Sequence, residues 1–166
     1  MEYVCKINSP VGELTASSDG TSITGLWLDG QKYFEAGLSK SASEKNLPVF
    51  EDLKKWLKEY FSKKNPPMNF KVLPEGTPFR KAVWEILFEI PYGETITYKY
   101  IADKLSEETG KKQSARAVGG AVGHNPISIL IPCHRVIGSN GGLTGYAGGI
   151  DKKIKLLEIE GIISKK

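Results

Sequence analysis

The chain has 166 residues, of which 40% are hydrophobic and 25% are charged, and it carries 23 Lys and Arg against 19 Asp and Glu. This balance is typical of a globular protein and excludes a disordered chain, while no apolar run approaches the ~18 residues that a membrane-spanning helix needs. The net charge of +4 is compatible with a polyanionic partner, and an N-terminus without a signal-peptide pattern leads us to expect a soluble, cytoplasmic protein.

The first part of the chain predicts a small antiparallel sheet covered by a helix. Residues 3–7, 13–17 and 23–28 read as short strands, and Asp19-Gly20 is a hairpin turn signal. A helix is predicted over residues 48–62, because its apolar side chains recur on one face and lysines lie on the opposite face. These apolar side chains are Val49, Leu53, Trp56, Leu57, Tyr60 and Phe61.

Residues 73–76 are the best candidate linker, and the composition of the chain changes after them. A boundary here predicts an N-terminal domain of antiparallel sheet and helix over residues 1–74. Residues 75–166 then form a mostly helical C-terminal domain, and the whole chain has an α+β fold.

Three helices are predicted in the first half of the C-terminal domain. The first begins with Thr77 as N-cap and Pro78 at the first helical position, and Pro91-Tyr92-Gly93-Glu94 ends it. The second covers about residues 97–106 and the third about residues 114–123, and the polar connection between them resembles a helix-turn-helix. The apolar side chains expected to be buried by the first two are Phe79, Ala82, Val83, Ile86, Leu87, Ile90, Tyr100, Ile101 and Leu105.

The third helix is unusual because Gly119, Gly120 and Gly123 lie within one short segment. Glycine inside a helix costs roughly 1 kcal/mol relative to alanine, so three glycines need a reason. One reason is close packing against another helix. The other is a surface poor in side chains, which would let the helix enter a groove too narrow for bulky residues. The residues alone leave both open.

The apolar run of residues 127–131 predicts a buried strand that ends at Pro132. Cys133 follows this proline and is itself followed by His134 and Arg135. A nearby histidine or positive charge raises the thiolate fraction of a cysteine. A carboxylate that orients the histidine would complete an activated thiol. The alternative is a packing cysteine beside a chance histidine, because consecutive strand residues point to opposite faces.

Glu158 and Glu160 are the nearest candidate carboxylates in sequence, in a last amphipathic helix expected over about residues 151–160. Cys5, the other cysteine, is expected to be a packing residue in a strand. Two cysteines are too few for a disulfide scaffold, and the two histidines form no zinc-ligand pattern. Neither a metal nor a cofactor is therefore predicted.

The segment Ile129-Leu130-Ile131-Pro132-Cys133-His134-Arg135-Val136 resembles the active-site signature of the O6-alkylguanine-DNA alkyltransferases, also called methylated-DNA–protein-cysteine methyltransferases. The resemblance extends from Thr77 to Gly161 with its motifs in the family's order, whereas the N-terminal domain is less diagnostic. The further motifs are Pro91-Tyr92-Gly93-Glu94, Arg116-Ala117-Val118-Gly119-Gly120-Ala121, Asn125-Pro126, Gly145-Tyr146-Ala147-Gly148-Gly149 and residues 156–161.

This resemblance implies an enzyme that repairs DNA by direct reversal of damage. The alkyl group on O6 of guanine, with O4-alkylthymine as a second candidate substrate, would pass irreversibly to Cys133 in a single turnover and without a cofactor. The implied catalytic residues are Cys133 as acceptor, His134 as base through a water molecule, Glu160 as its hydrogen-bond partner, Tyr98 as proton donor to guanine N3, and Asn125 as the tie across the bend before the cysteine.

The same resemblance implies a monomer that binds double-stranded DNA through the minor groove, which is only about 6 Å wide and suits a glycine-rich helix. The damaged nucleotide would be rotated out of the base stack, and Arg116 would fill the gap. The implied residues of the guanine pocket are Tyr146, Val136, Ala147, Gly148 and Lys153. The implied DNA-binding residues are Arg116, Ala117, Gly119, Gly120 and Arg135.

Three other functions stay open at the level of sequence. A relative with tryptophan at the acceptor position would only sense lesions, although Cys133 argues against that function. A helix-turn-helix regulator would leave the cysteine segment without a role. A Cys–His hydrolase usually brings its histidine from a distant segment, and here His124, the second histidine, precedes the thiol.

Overall fold

The computed structural model describes residues 2–29, 41–138 and 149–162. The chain divides into two compact units, of which the first comprises Met1–Glu75 with Pro126–Ser128 and the second comprises Gly76–Asn125 with Ile129–Lys166. The first unit holds a sheet and a helix, and the second is mostly helical, which confirms the predicted α+β class. No helix within the described ranges combines the length and apolar composition that crossing a membrane requires.

The sheet of the first unit is built on the antiparallel strands β1 (Tyr3–Ser9), β2 (Gly12–Ser18) and β3 (Ser22–Leu28). The predicted strands lie inside these bounds, because residues within the turns themselves fix where the turns occur. Gly12 adopts φ 105°, and the Asp19 carboxylate accepts hydrogen bonds from the backbone N–H groups of Thr21 and Ser22. The edge strands β4 (Ser43–Glu44) and β5 (Lys71–Val72), which were not predicted, run parallel to β1 and β3.

Helix α1 (Pro48–Phe61) packs on this sheet through its apolar face. Its first position is a proline, which suits a helix start, and the chain leaves the helix through Lys63 at φ 65°. Phe61 was expected on the buried face but is only half-buried. The buried residues are Val49, Phe50, Leu53, Trp56, Leu57 and Tyr60.

A segment from late in the chain, Pro126–Ser128, completes the first unit. The backbone N–H of Leu26 in β3 donates to the carbonyl of Pro126 at 2.8 Å, and the N–H of Ser128 donates back to Leu26 at 2.9 Å. The strand expected over residues 127–131 is wrong, since a single bridge at Ile127 is followed by turns. Ile129, which is buried, adopts φ 70° in these turns. That conformation is strained for a β-branched residue.

The described part of the second unit contains the helices α2 (Pro78–Phe88), α3 (Tyr98–Thr109), α4 (Ala115–Gly123) and α5 (Ile150–Ile159). It also contains a short parallel pair, β6 (Ile96–Thr97) with β7 (Val136–Ile137). Side-chain oxygens cap three of the helices at their N-termini, which fixes where each begins. These caps are Thr77, as predicted, together with Thr97 and Ser114.

Two expectations about α3 are wrong. The ring of Tyr100 is 51% exposed, because the buried stripe of the helix passes through other positions. The buried positions are Ile101, Ala102 and Leu105. The helix also continues to Thr109, since Gly110 adopts the left-handed conformation (φ 70°) that ends a helix.

Helices α2 and α3 both pack against α4. Trp84 of α2, which was not among the predicted core residues, is 2% exposed, and its indole Nε1 donates to the carbonyl of Ala121 at 2.8 Å. This hydrogen bond satisfies the polar edge of a buried ring and fixes α4 on α2. With Val118 and Val122 also buried, the opposite face of α4 points outward.

Candidate active site

Cys133 begins a single 3₁₀ turn, Cys133–Arg135, which we call the cysteine turn. Pro132 before it has φ −79° and ψ 66°, and the backbone N–H of Cys133 donates to the carbonyl of Ile131 at 2.7 Å. These values describe an inverse γ-turn, a conformation that the proline ring favours by restricting φ. Cys133 is therefore held in a defined backbone, and the residue is only 3% exposed.

The cysteine turn changes the relation between Cys133 and His134. Adjacent residues of a strand point to opposite faces, whereas successive residues of a 3₁₀ helix are rotated by only about 120°. The objection that adjacency separates thiol and imidazole therefore does not apply to this backbone.

His134 is completely buried, and its Nε2 atom lies 2.5 Å from Oε2 of Glu160. Glu160, the C-cap of α5, is likewise buried, and its Oε1 accepts from Nε of Arg135 at 2.8 Å and from the backbone N–H of Gly93 at 3.1 Å. The structure thus brings Glu160 to the histidine, and Glu158, the other candidate carboxylate, is not a partner in this bond.

The charge of Glu160 determines which nitrogen of His134 carries the proton. An ionised carboxylate only accepts hydrogen bonds, so Nε2 donates and Nδ1 is the basic nitrogen of the neutral ring. Burial lowers the pKa of His134 from its ordinary value of 6.5, and the positive charges of Arg135 and Lys153 lower it further, although Glu160 opposes the shift. The imidazole is therefore neutral near pH 7.

Lys153 and Tyr98 both lie within electrostatic reach of Cys133. The Lys153 side chain is fully buried, and its Nζ donates to the carbonyl of Val136 at 2.6 Å. Burial lowers the pKa of Lys153, while negative charge on Cys133 raises it. Burial raises the pKa of Tyr98, and the charge of Cys133 raises it further, so this phenol keeps its proton at neutral pH.

Asn125 follows α4 and is buried, with its side-chain Nδ2 donating to the carbonyl of Ile131 at 2.8 Å. This bond spans the turns that precede Pro132. Tyr146, Ala147 and Gly148, the other residues predicted for the guanine pocket, lie outside the described residues.

The outward face of α4 carries the residues predicted to meet DNA. Arg116, Ala117 and Gly120 are exposed, and Gly119 is partly exposed. A Cβ added at Gly120 would have no described atom within 4 Å, and one at Gly119 would make an ordinary contact with the Tyr98 ring at 4.0 Å. Packing within the described residues therefore requires glycine at neither position, which disfavours the first of the two explanations for the glycine-rich helix.

Arg135 occupies a different place from the other predicted DNA-binding residues. It is 8% exposed, and its guanidinium is directed into the site toward Glu160. Gly93 and Tyr92 contact this pair. The sequence had placed them in a helix stop and in one motif of the family resemblance, without a role in the site. Local patterns gave no sign of this contact, because the two segments are 67 residues apart in the chain.

Two family models cover almost the whole chain. Residues 78–162 match the model described as 6-O-methylguanine DNA methyltransferase, DNA binding domain, and residues 3–74 match the ribonuclease-like domain of the same family. The chain belongs to this family. Curated relatives agree over nearly the full length of both partners. A methylated-DNA–protein-cysteine methyltransferase from Methanosarcina barkeri is 45% identical and aligns over 95% of this chain and 96% of its own. One from Haemophilus influenzae is 43% identical, over 96% and 87% respectively.

Solved structures of family members have the same fold. The crystal structure of Mycobacterium tuberculosis OGT in complex with DNA has a TM-score of 0.82 at 39% identity, covering 95% of this chain and 92% of that chain. An O6-methylguanine DNA methyltransferase from Methanococcus jannaschii has a TM-score of 0.64 at 27% identity, covering 98% and 96%.

Proposed function

We propose that this protein repairs DNA by transferring the alkyl group of O6-alkylguanine to Sγ of Cys133, once per molecule. Transfer of an alkyl group from DNA to a protein cysteine is the activity of the family, and DNA is its partner. The observation that carries the assignment to Cys133 is the buried His134–Glu160 hydrogen bond beside it. Cys5 offers no comparable activation, because burial raises the pKa of that thiol to about 11.

The reaction is an in-line displacement at the alkyl carbon. The thiol proton of Cys133 passes through a water molecule to Nδ1 of His134, which Glu160 orients. The sulfur then forms a bond to the alkyl carbon as the bond from that carbon to guanine O6 breaks. Tyr98 supplies a proton to guanine N3, so that guanine leaves as a neutral base.

Lys153 supports the thiolate from within the protein. Its ammonium group is buried and anchored to the Val136 carbonyl, so its charge acts in a medium of low dielectric constant. We propose that Lys153 and Val136 form the guanine pocket together with Tyr146, Ala147 and Gly148. Asn125 keeps the turns before Cys133 in place.

The thioether product ends the reaction. Water does not hydrolyse a thioether, and the mechanism includes no second nucleophile that would regenerate the thiol. Each molecule therefore acts once, and the chemistry calls for neither a metal nor a cofactor.

DNA is bound as a duplex, with α4 in the minor groove. The exposed Ala117 and Gly120 and the partly exposed Gly119 let this helix approach the floor of a groove about 6 Å wide. Rotation of the damaged nucleotide out of the base stack costs a few kcal/mol, and Arg116 enters the gap that it leaves. The division into domains at 74/75, a monomeric state and a cytoplasmic location belong to the same proposal.

The proposal is tested by the intact mass of the protein after incubation with a short duplex that contains one O6-methylguanine. We expect a gain of one methyl group per chain, mapped to Cys133 and absent from Cys133→Ser, with Cys5 unmodified. A duplex containing O4-methylthymine tests the second substrate. Selective binding to the lesion without a mass gain would replace the proposal by a damage sensor, and repeated turnover would replace it by a hydrolase.

A further inference from the structure

The side chain of Arg135 is satisfied by groups inside the protein. Its Nε donates to Oε1 of Glu160 at 2.8 Å, and its Nη1 donates to the carbonyl of Ile90 at 2.7 Å. The guanidinium lies over the ring of Tyr92, 5.8 Å from the centroid. Only 10% of the side chain is exposed. These contacts join the end of α2, the cysteine turn and the C-cap of α5.

The two oxygens of the Glu160 carboxylate have different roles in this arrangement. Oε1 accepts from Arg135 and from the backbone N–H of Gly93, whereas Oε2 accepts from His134. Donors on Oε1 fix the plane of the carboxylate and prevent its rotation. The donors on Oε1 therefore also determine the direction in which Oε2 faces the imidazole.

Arg135 also determines the charge of this cluster. A buried carboxylate tends to take up a proton, and a protonated Glu160 could donate to His134 instead of accepting from it. Arginine cannot lose its charge in a protein, so it keeps Glu160 ionised. The charged groups that face His134 are Glu160 and Lys153 from α5, with Arg135 from the cysteine turn itself.

We propose that Arg135 is a positioning residue for alkyl transfer, and not the DNA contact that the sequence predicted. It acts through Glu160, holding the carboxylate ionised and oriented so that His134 keeps its proton on Nε2 and Nδ1 as the base. This inference rests on the proposed function of Cys133, and it assigns to the third residue of the Cys-His-Arg motif a role inside the site.

The first test compares Arg135→Met with Arg80→Met, which removes an arginine at the start of α2, away from the site. Single-turnover transfer from a duplex with O6-methylguanine is measured at saturating protein across pH, and affinity for the same duplex is measured separately. We expect Arg135→Met to slow transfer about ten- to a hundredfold, less than the roughly hundred- to ten-thousandfold that loss of a general base costs, because His134 itself remains. We expect its affinity for DNA to match that of Arg80→Met.

The pH profile distinguishes positioning from simple loss of packing. Removing a permanent positive charge makes protonation of the His134–Glu160 pair easier. The acid limb of the profile, where the transfer rate falls as the pH is lowered, should therefore move to higher pH. The chain has two histidines, so NMR of ¹⁵N-histidine-labelled protein follows His134 directly, with His124 as internal reference. This readout does not need transfer, and it therefore tests Arg135 even if the wild-type protein transfers no alkyl group.

Arg135→Lys provides a second test that remains available if the Arg135→Met variant does not fold. Lysine keeps the charge but cannot reproduce the planar fork that reaches both Glu160 and Ile90. We expect slower transfer with the acid limb near its wild-type position. The inference is overturned if Arg135→Lys transfers at the wild-type rate, or if Arg135→Met loses DNA affinity while its pH profile and the His134 titration stay unchanged.

Discussion

His134 shows how one buried side chain couples the chemistry of the site to the stability of the fold. Its imidazole is removed from water beside Glu160, and desolvation dominates, lowering the pKa from its ordinary value of 6.5. A histidine that stays neutral can accept the thiol proton, whereas an imidazolium cannot. The burial that makes His134 a usable base also makes its protonation unfavourable for the folded state.

The stability of the protein should therefore depend on pH through His134. As the pH falls below 6.5, the unfolded chain binds a proton that the folded state takes up only at lower pH. The unfolded state then holds more protons, so the free energy of unfolding falls with decreasing pH, by up to ~1.4 kcal/mol per pH unit. Above pH 6.5 both states leave the ring neutral, and the effect disappears.

Urea unfolding of His134→Gln over a pH series measures this contribution. Glutamine keeps a donor toward Glu160 but does not titrate, so its stability should change less between neutral and acidic pH than that of the wild type. His124→Gln shows whether the effect belongs to the buried histidine. Identical pH slopes for wild type and His134→Gln would contradict the prediction.

Helix α4 combines two opposite demands on one element. Its inner face packs against α2 and α3, and the Trp84–Ala121 hydrogen bond fixes it there. Its outer face carries Gly120, where a side chain would have room among the described residues. Glycine in such an open helical position lowers stability, and the proposed contact of this face with DNA would explain its presence.

Gly120→Ala should separate these demands. We expect the variant to be more stable by about 0.5–1 kcal/mol, because alanine loses less backbone entropy on folding. We also expect weaker binding to duplex DNA, since the added methyl group lies on the face that we propose enters the minor groove. Urea unfolding and fluorescence anisotropy measure the two effects.

Gly123→Ala is the matched control for this variant. A Cβ at Gly123 likewise has no described atom within 4 Å, but the residue ends α4. We expect DNA affinity close to wild type. If Gly120→Ala is more stable and binds DNA as tightly as the wild type, the groove explanation fails.

Across the whole molecule, an excess of four positive charges accompanies a DNA-binding domain. A repair protein must bind many sequences, and contacts to phosphates supply affinity of this kind. Such contacts release counterions from DNA, so binding should weaken as salt is added.

The logarithm of the association constant for an undamaged duplex should thus fall linearly with the logarithm of the salt concentration. The slope of this line is about −0.9 for each phosphate that the protein neutralises. Arg116→Ala refines the prediction. A residue that fills the gap in the base stack should leave this slope nearly unchanged and slow alkyl transfer, whereas loss of a phosphate contact should reduce the slope by about 1. Affinity independent of salt would contradict an electrostatic mode of binding.

Features of this protein that depend on neighbouring residues could be predicted from the amino-acid sequence. Helix α2 begins where Thr77 and Pro78 predict, because a cap and a fixed φ act within one turn. The first three strands and α1 follow from turn residues and apolar spacing. The cysteine motif pointed to the family that the comparisons then showed.

Contacts between groups that are distant in the chain depend on the fold, and neighbouring residues did not indicate them. The fold gave Cys133 a 3₁₀ turn in place of a strand end, and it brought Gly93 to the carboxylate of Glu160. It also selected Glu160, as the family resemblance implied, from the two carboxylates that the residues alone left open. It left Tyr100 exposed where the sequence predicted a buried residue, and it placed the side chain of Arg135 against Glu160. A charged or aromatic side chain carries no local signal for the partner that will satisfy it. That choice depends on which segments packing places together, and on the cost of burying a charge alone.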